Sequence, residues 1–199
     1  MGYLLGLQEY LDENYDLSVF DAVFETKEQW GFHLSNHRIV RATIKENLTY
    51  DVKLDIEGEG KELLPKTDVK LVCRQELADA VKPLLKTDKK VQELGLEPII
   101  PPSKRHHIKN KSLFPLMKER QALFFTLLEG EIVKGIIAGF SRYEISVSLK
   151  GGMPVTILRH SIYDLRNKKG RCFLKSVQEK RRDWEKTDLF VSSSQPHHS

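Results

Sequence analysis

Leu128-Glu-Gly-Glu-Ile-Val-Lys-Gly-Ile-Ile-Ala-Gly-Phe-Ser-Arg-Tyr-Glu-Ile145 is the stretch that decides the fold. Gly135 and Gly139 interrupt an apolar run, the mark of a strand that bends or that another backbone approaches closely. Glu129-Gly130 ahead of the run reads as a hairpin turn. From Tyr143 the pattern alternates through Ile145, Val147 and Leu149, the period of a half-buried strand. Lys150-Gly151-Gly152 makes the next turn. Val155, Ile157 and Arg159 continue a fourth strand, and His160-Ser161-Ile162 leads to a short fifth.

The same pattern occurs 93 residues earlier. Glu25–Val72 lies over Lys118–Leu165 without a gap. Phe32, Leu34, Ile39, Val40, Ile44, Tyr50 and Gly58 meet identical residues at Phe125, Leu127, Ile132, Val133, Ile137, Tyr143 and Gly151. Val52, Leu54, Ile56, Leu64 and Val69 meet other apolar residues. Such self-similarity makes the chain a tandem of two small units. In the first copy Trp30, Phe32 and Leu34 alternate, and Asn36-His37 supplies the hairpin turn.

A helix opens each copy. Phe20, Val23, Phe24 and Lys27 form one stripe over residues 17–28, with Ser18 as N-cap. The second helix opens at Ser112, with Pro115 placed early, where the first turn tolerates a missing N–H. The predicted fold class is therefore mainly β. Each copy is expected to be an N-terminal helix plus five bent antiparallel strands, a small open barrel. Separate sheets are expected for the two copies, superposing Tyr50 on Tyr143 and Ile39 on Ile132.

The domain limits follow: 1–75 for a first, acidic domain, 76–111 for a linker, 112–175 for a second, basic domain, and 176–199 for a basic, then disordered tail. Within the linker, Leu77, Val81, Leu84 and Leu85 recur at helical spacing, and Lys104–Lys111 is basic. The tail carries a further basic segment, Lys175–Lys186, read as helical, before the Ser192–Ser199 end.

The net charge of +4 conceals an asymmetry. Residues 1–100 hold 13 Lys and Arg against 19 Asp and Glu, and residues 101–199 hold 19 against 9. A basic half points to a polyanionic partner. Two cysteines, Cys73 and Cys172, make no disulfide framework and no Cys-x-x-Cys pair, as in a reduced, cytoplasmic protein. The start of the chain is neither basic nor long enough for a signal peptide, and no apolar run is long enough for a membrane span.

These residues resemble the Sm-like fold, and within it the bacterial RNA chaperone Hfq family. Gly130, Gly135 and Phe140 fall at the two glycines and the aromatic of that family's first motif. Arg159-His160-Ser161-Ile162 is similar to the Lys-His-Ala-Ile of its second. The likeness covers about residues 112–166 directly, and 19–72 through the repeat. The sequence departs from the family at Ser141, Arg142 and Leu158, and the first copy has Thr67 and His37 in place of the His and the turn glycine.

The resemblance implies binding of single-stranded, uridine-rich RNA by Tyr143, Arg159 and His160. It implies an adenine-binding opposite face at Thr126, Gly130 and Ile132–Lys134, where Thr126 replaces the stacking aromatic. It also implies a basic rim at Lys118 and Arg120, and oligomers built by pairing strand edges. Arg142 and Tyr143 suit RNA on chemical grounds alone, as a cation for phosphate beside a ring for a base. The expected contacts are thus Arg142, Tyr143, Arg159, His160, Lys118, Arg120 and Lys134, with Tyr50 and Lys66 as weaker equivalents in the first copy. Two structural readings stand beside these: Tyr143 as a packed strand residue, and His160 as a turn-closing donor to a backbone carbonyl.

Catalysis has no comparable pattern. His33 and His37 share no face in a strand–turn reading, and His106-His107 and His197-His198 lack companions at ligand spacing. No glycine-rich phosphate loop precedes a helix. The expectation is a non-catalytic RNA-binding protein without cofactor or metal. The alternative is a protein-interaction scaffold that kept the fold and lost RNA binding.

Overall fold

Alternating apolar residues set the strands of the first copy. In the computed structural model, which describes residues 4–105 and 107–174, α1 (Leu7–Asn14) and α2 (Val19–Thr26) precede β1 (Trp30–Leu34). β2 (Ile39–Asn47), β3 (Asp51–Ile56), β4 (Gly60–Pro65) and β5 (Val69–Arg74) follow. Val40, Ala42 and Ile44 of β2 and Val52, Leu54 and Ile56 of β3 point inward. There they meet Phe20 and Val23 of α2 in one core cluster. Burying each large apolar side chain contributes roughly 1.5–3 kcal/mol.

The linker carries the short α3 (Ala78–Val81), β6 (Lys86–Thr87) and α4 (Lys89–Gln92). The second copy then repeats the first as α5 (Asn110–Lys118), β7 (Ala122–Leu127), β8 (Glu131–Phe140), β9 (Glu144–Ser148), β10 (Pro154–Leu158) and β11 (Ile162–Asn167). The class is mainly β, as the sequence predicts.

The repeat extends to backbone detail. Lys27 and Arg120, His37 and Gly130, and Gly58 and Gly151 are equivalent pairs, and all six residues have positive φ. The β2–β3 bulge between Ile44 and Glu46 recurs in β8–β9 between Ile137 and Gly139. The β1–β5 irregularity at Leu34 and Val69 recurs at Leu127 and Ile162.

One expectation is corrected here. The copies do not form separate sheets. The strand order is β11-β7-β8-β9-β10-β5-β1-β2-β3-β4 in one sheet, with β6 added beside β8. The join is antiparallel, with Thr156 opposite Val72 and Ile157 opposite Leu71. Its physical cause is the unpaired row of N–H and C=O groups that each copy would leave at its edge. The cores interlock across the join: Leu71 of β5 packs in the second copy's cluster, and Leu158 of β10 in the first copy's. At the outer ends, Cys172 bridges Arg166 and the Phe173 N–H donates to the Leu165 carbonyl, which covers β11. Among the described residues β4 has no strand on its outer edge.

Two local expectations also shift. Ser18 does stand at the N-cap of α2, but its side chain makes no capping bond. Glu144 of the other copy accepts the Val19 N–H instead, at 2.9 Å. Pro115 lies inside α5 rather than in its first turn. Lys175–Lys186 and the rest of the tail lie outside the described residues.

Candidate functional site

Each copy builds the same small backbone clamp. The turn between β2 and β3 presents Tyr50, and the turn between β8 and β9 presents Tyr143. Leu48 N–H bonds the Asp51 carbonyl and Ser141 N–H bonds the Glu144 carbonyl, both at 3.0 Å. The basic residue that follows the fourth strand then closes on the tyrosine. Lys66 N–H donates to the Tyr50 carbonyl and Arg159 N–H to the Tyr143 carbonyl, both at 2.8 Å. Both rings are outside: Tyr50 is 81% exposed and Tyr143 52%. The packed-strand reading of Tyr143 therefore does not describe its ring.

The side chains around the two rings differ. In the second copy the Arg142 guanidinium stands over the Tyr143 ring at 5.3 Å, and both residues are exposed. That geometry leaves an aromatic face and a cation side by side. Arg159 turns inward. Its Nη2 donates to Asn110 Oδ1 at 2.9 Å, and the guanidinium lies 5.6 Å from the Phe140 ring centroid. Burial pulls its pKa down to about 10, still cationic at neutral pH. The side chain is half-buried, and its Nε is covered without a hydrogen-bond partner among the described residues.

His160 lies between the copies. Its Nε2 is 2.9 Å from the Val69 carbonyl at the start of β5, and burial pushes its pKa down to about 4. It is a neutral ring that bonds a backbone carbonyl, matching the structural reading. Ser161 adds a bond to the Lys70 carbonyl at 3.2 Å. In the first copy Lys66 donates to the Leu48 carbonyl at 2.5 Å and lies over the Phe20 ring, so its charge is partly engaged.

The other expected contacts lie apart from this clamp. Lys118 covers the Phe114 ring at 5.3 Å, Arg120 is exposed at the end of α5, and Lys134 covers the Phe124 ring at 5.5 Å. The opposite face of the second copy is occupied by the linker. β6 pairs with Glu131 and Ile132, and Asp88 N–H donates to the Gly130 carbonyl at 2.8 Å. A Cβ at Gly130 would stand 2.9 Å from Asp88 O and Gln92 N. Thr126 is buried. This face of the chain presents linker where the resemblance implies an adenine pocket. The basic connector is also tied locally: Arg105 donates to the Ile99 and Ile100 carbonyls at 2.8 and 2.7 Å.

Two features escape the sequence reading. The segment 7–19 runs onto the second copy: the Tyr10 hydroxyl donates to the Phe140 carbonyl at 2.9 Å and accepts the Phe140 N–H at 2.6 Å. Arg142 N–H donates to the Tyr15 carbonyl at 2.7 Å. Leu7, Tyr10, Leu11 and Asn14 recur at helical spacing, and this was the signal available for α1.

The second feature is a charge cluster where the copies meet. Lys70, 2% exposed, donates to both carboxylate oxygens of Glu131 at 2.7 and 2.8 Å. Glu129 lies 3.8 Å away, and His37 is 3.5 Å from Glu131. Burial, then Lys70, pushes the neighbouring His33 down to about 4, so it is neutral at physiological pH.

No family model matches this chain, and no curated protein does. Among the described residues no group of His, Cys, Asp and Glu is arranged to hold a metal, and no helix is long and apolar enough to cross a membrane. Cys73 and Cys172 are free thiols.

Proposed function

We propose that this chain is a cytoplasmic, non-catalytic RNA-binding protein of the Hfq/Sm-like type. In this reading each copy is an Sm-like open barrel, and single-stranded, uridine-rich RNA binds mainly to the second. The observation that carries the reading is the Tyr143 turn: an exposed ring with Arg142 over it, clamped by a hydrogen bond from Arg159. Single strands are bound by stacking on such rings, with cations along the phosphates. The shared strand order of the copies, and the pairing of the fifth strand of one with the fourth of the next, support the Sm-like part.

His160 takes a different part from the one the resemblance implies. Neutral and bonded to Val69, it orders the junction beneath the site. Arg159 contributes its buried charge and its backbone, while Arg142 is the cation in the open. Tyr50 and Lys66 give the first copy a weaker site on an acidic background. That background also favours the second reading, in which the first copy serves as a protein scaffold.

Edge pairing between chains is part of the proposal through β4. A three-chain ring would need β4 to pair with β11, and Arg171–Leu174 would have to leave that edge. Pairing of β4 with β4 of another chain needs no such movement.

Titration of labelled oligouridine at several salt concentrations tests the reading. Neutralising Z phosphates of a single strand gives a log–log slope of about −0.7Z. Retention without salt dependence, or none at all, would leave the scaffold reading standing alone.

A further inference from the structure

The N-terminal segment is held on the proposed RNA site by bonds that have no equivalent in the first copy among the described residues. Tyr10 makes two hydrogen bonds to the Phe140 backbone and packs its ring 4.8 Å from the Phe140 ring and 5.7 Å from that of Phe114. The β8–β9 bulge irregularity lies just before Phe140. The segment lies directly on this strand: a Cβ at Gly139 would meet the Tyr10 hydroxyl at 3.4 Å, an ordinary van der Waals contact. The equivalent residue of the first copy is Glu46, whose side chain instead pairs with Lys53. Further along, the Tyr15 carbonyl takes the Arg142 N–H, and Glu144 takes the Val19 N–H. The segment thus contacts Phe140, Arg142 and Glu144, on both sides of Tyr143.

Between these tethers Tyr15 stays partly open to solvent, 36% exposed. Its backbone is fixed by Arg142, so the phenol can receive a ligand without a large ordering cost.

We propose that Tyr15 is a further RNA-binding residue, a second aromatic platform that the segment 7–19 places beside Arg142 and Tyr143 and on which an adjoining base stacks. The inference rests on the RNA reading of the Tyr143 turn and names a residue for it outside both repeats. Asp12, Glu13 and Asp16 are exposed on the same segment and repel phosphate. The opposite outcome, a segment that screens the site from RNA, is therefore an explicit alternative in the test.

The test is fluorescence anisotropy of the full chain with labelled oligouridine at fixed low salt. The variants are Tyr15→Ala, Tyr15→Phe, Tyr15→Trp, Tyr10→Phe and Tyr143→Ala, each with a melting curve. Because the tether uses the Tyr15 backbone, Tyr15→Ala should keep its melting temperature and still lose about fivefold or more in affinity, the lower end for one stacked base. Tyr15→Phe and Tyr15→Trp should retain binding, and RNA should quench the emission added by Tyr15→Trp. Tyr10→Phe, which loosens the segment, should weaken binding in the same direction. Unchanged or tighter binding by Tyr15→Ala, while Tyr143→Ala binds less well, overturns the inference and leaves the RNA site intact. A wild-type chain that does not bind removes both together.

Discussion

The Arg159 N–H donates to the Tyr143 carbonyl at 2.8 Å, and this bond joins the end of β10 to the turn after β8. It fixes by its backbone a ring that is exposed, with Arg142 over it. The same bond from Lys66 to Tyr50 shows that the clamp belongs to the repeat, while the decoration around it belongs to each copy.

Ring and cation can therefore be removed separately from the clamp. Tyr143→Ala and Arg142→Ala should each weaken oligouridine binding by on the order of 1–3 kcal/mol with little loss of stability, since both side chains are exposed. Tyr50→Ala should cost much less affinity. Arg159→Ala differs, because it also removes the bond to Asn110 and the packing on Phe140, and should lower the melting temperature. Titrations at one salt concentration, with melting curves, check all four. Equal losses for Tyr50→Ala and Tyr143→Ala would make the copies equivalent.

Glu144 predicts a pH dependence. Burial pushes its carboxyl up to about 7, against the Val19 N–H that it accepts. A raised folded-state pKa gives stability that is complete below the unfolded carboxyl pKa, near 4.5, and lost as pH rises through 7. The loss is on the order of 3 kcal/mol. Glu144→Gln keeps an oxygen for Val19 and carries no charge, so it should stabilise the chain at pH 8 and change little at pH 4. Denaturant melts at both pH values measure this, and a larger gain at pH 4 would contradict the assignment.

Gly135 shows how the copies diverge at one register. The equivalent residue is Ala42, fully buried, yet a Cβ at Gly135 would lie 2.3 Å from Val147 Cγ1 and 2.6 Å from the Ser148 carbonyl oxygen. The side chain could shift, but the carbonyl belongs to the backbone of β9. Gly135→Ala should destabilise by about 1–3 kcal/mol, the usual cost of overpacking. Ala42→Gly should cost about 1 kcal/mol through backbone freedom. A calorimetric melt of each variant checks the difference, and a neutral Gly135→Ala would mean that β8 and β9 are less closely packed than described.

What was legible in the sequence was whatever repeated or alternated. The periods around Val40–Ile44 and Tyr143–Leu149 place the strands, and the 93-residue register brings Tyr50 and Tyr143 to equivalent turns. Periodicity is local, however, and does not say which edges meet. The β5–β10 join depends on Leu71 and Ile157 facing each other across the copies, and nothing near either residue in sequence signals it. Exposure fared likewise. Arg159 and His160 carry the motif, but burial against Phe140 and Val69 leaves Arg142 as the open cation. Tyr10 and Tyr15 lie outside both repeats, so the repeat could not assign them.

Lys70 holds the last prediction, because it joins the copies by charge where β5 and β10 join them by backbone. Its ammonium is buried and bonded to both oxygens of Glu131, with Glu129 nearby. Lys70→Met fills similar space but leaves two carboxylates without their cation. Breaking a buried pair from one side costs about 3–5 kcal/mol. Glu129, already raised by burial, would rise further without Lys70. Its folded pKa would then stand further above the unfolded value, so the added penalty should be absent at low pH and grow as pH rises. Lys70→Met with Glu129→Gln and Glu131→Gln should recover much of the stability at neutral pH. Melting curves of the single and triple variants at pH 5 and pH 8 decide it. A single variant as stable as wild type at pH 8 would show that the strand join alone holds the copies together.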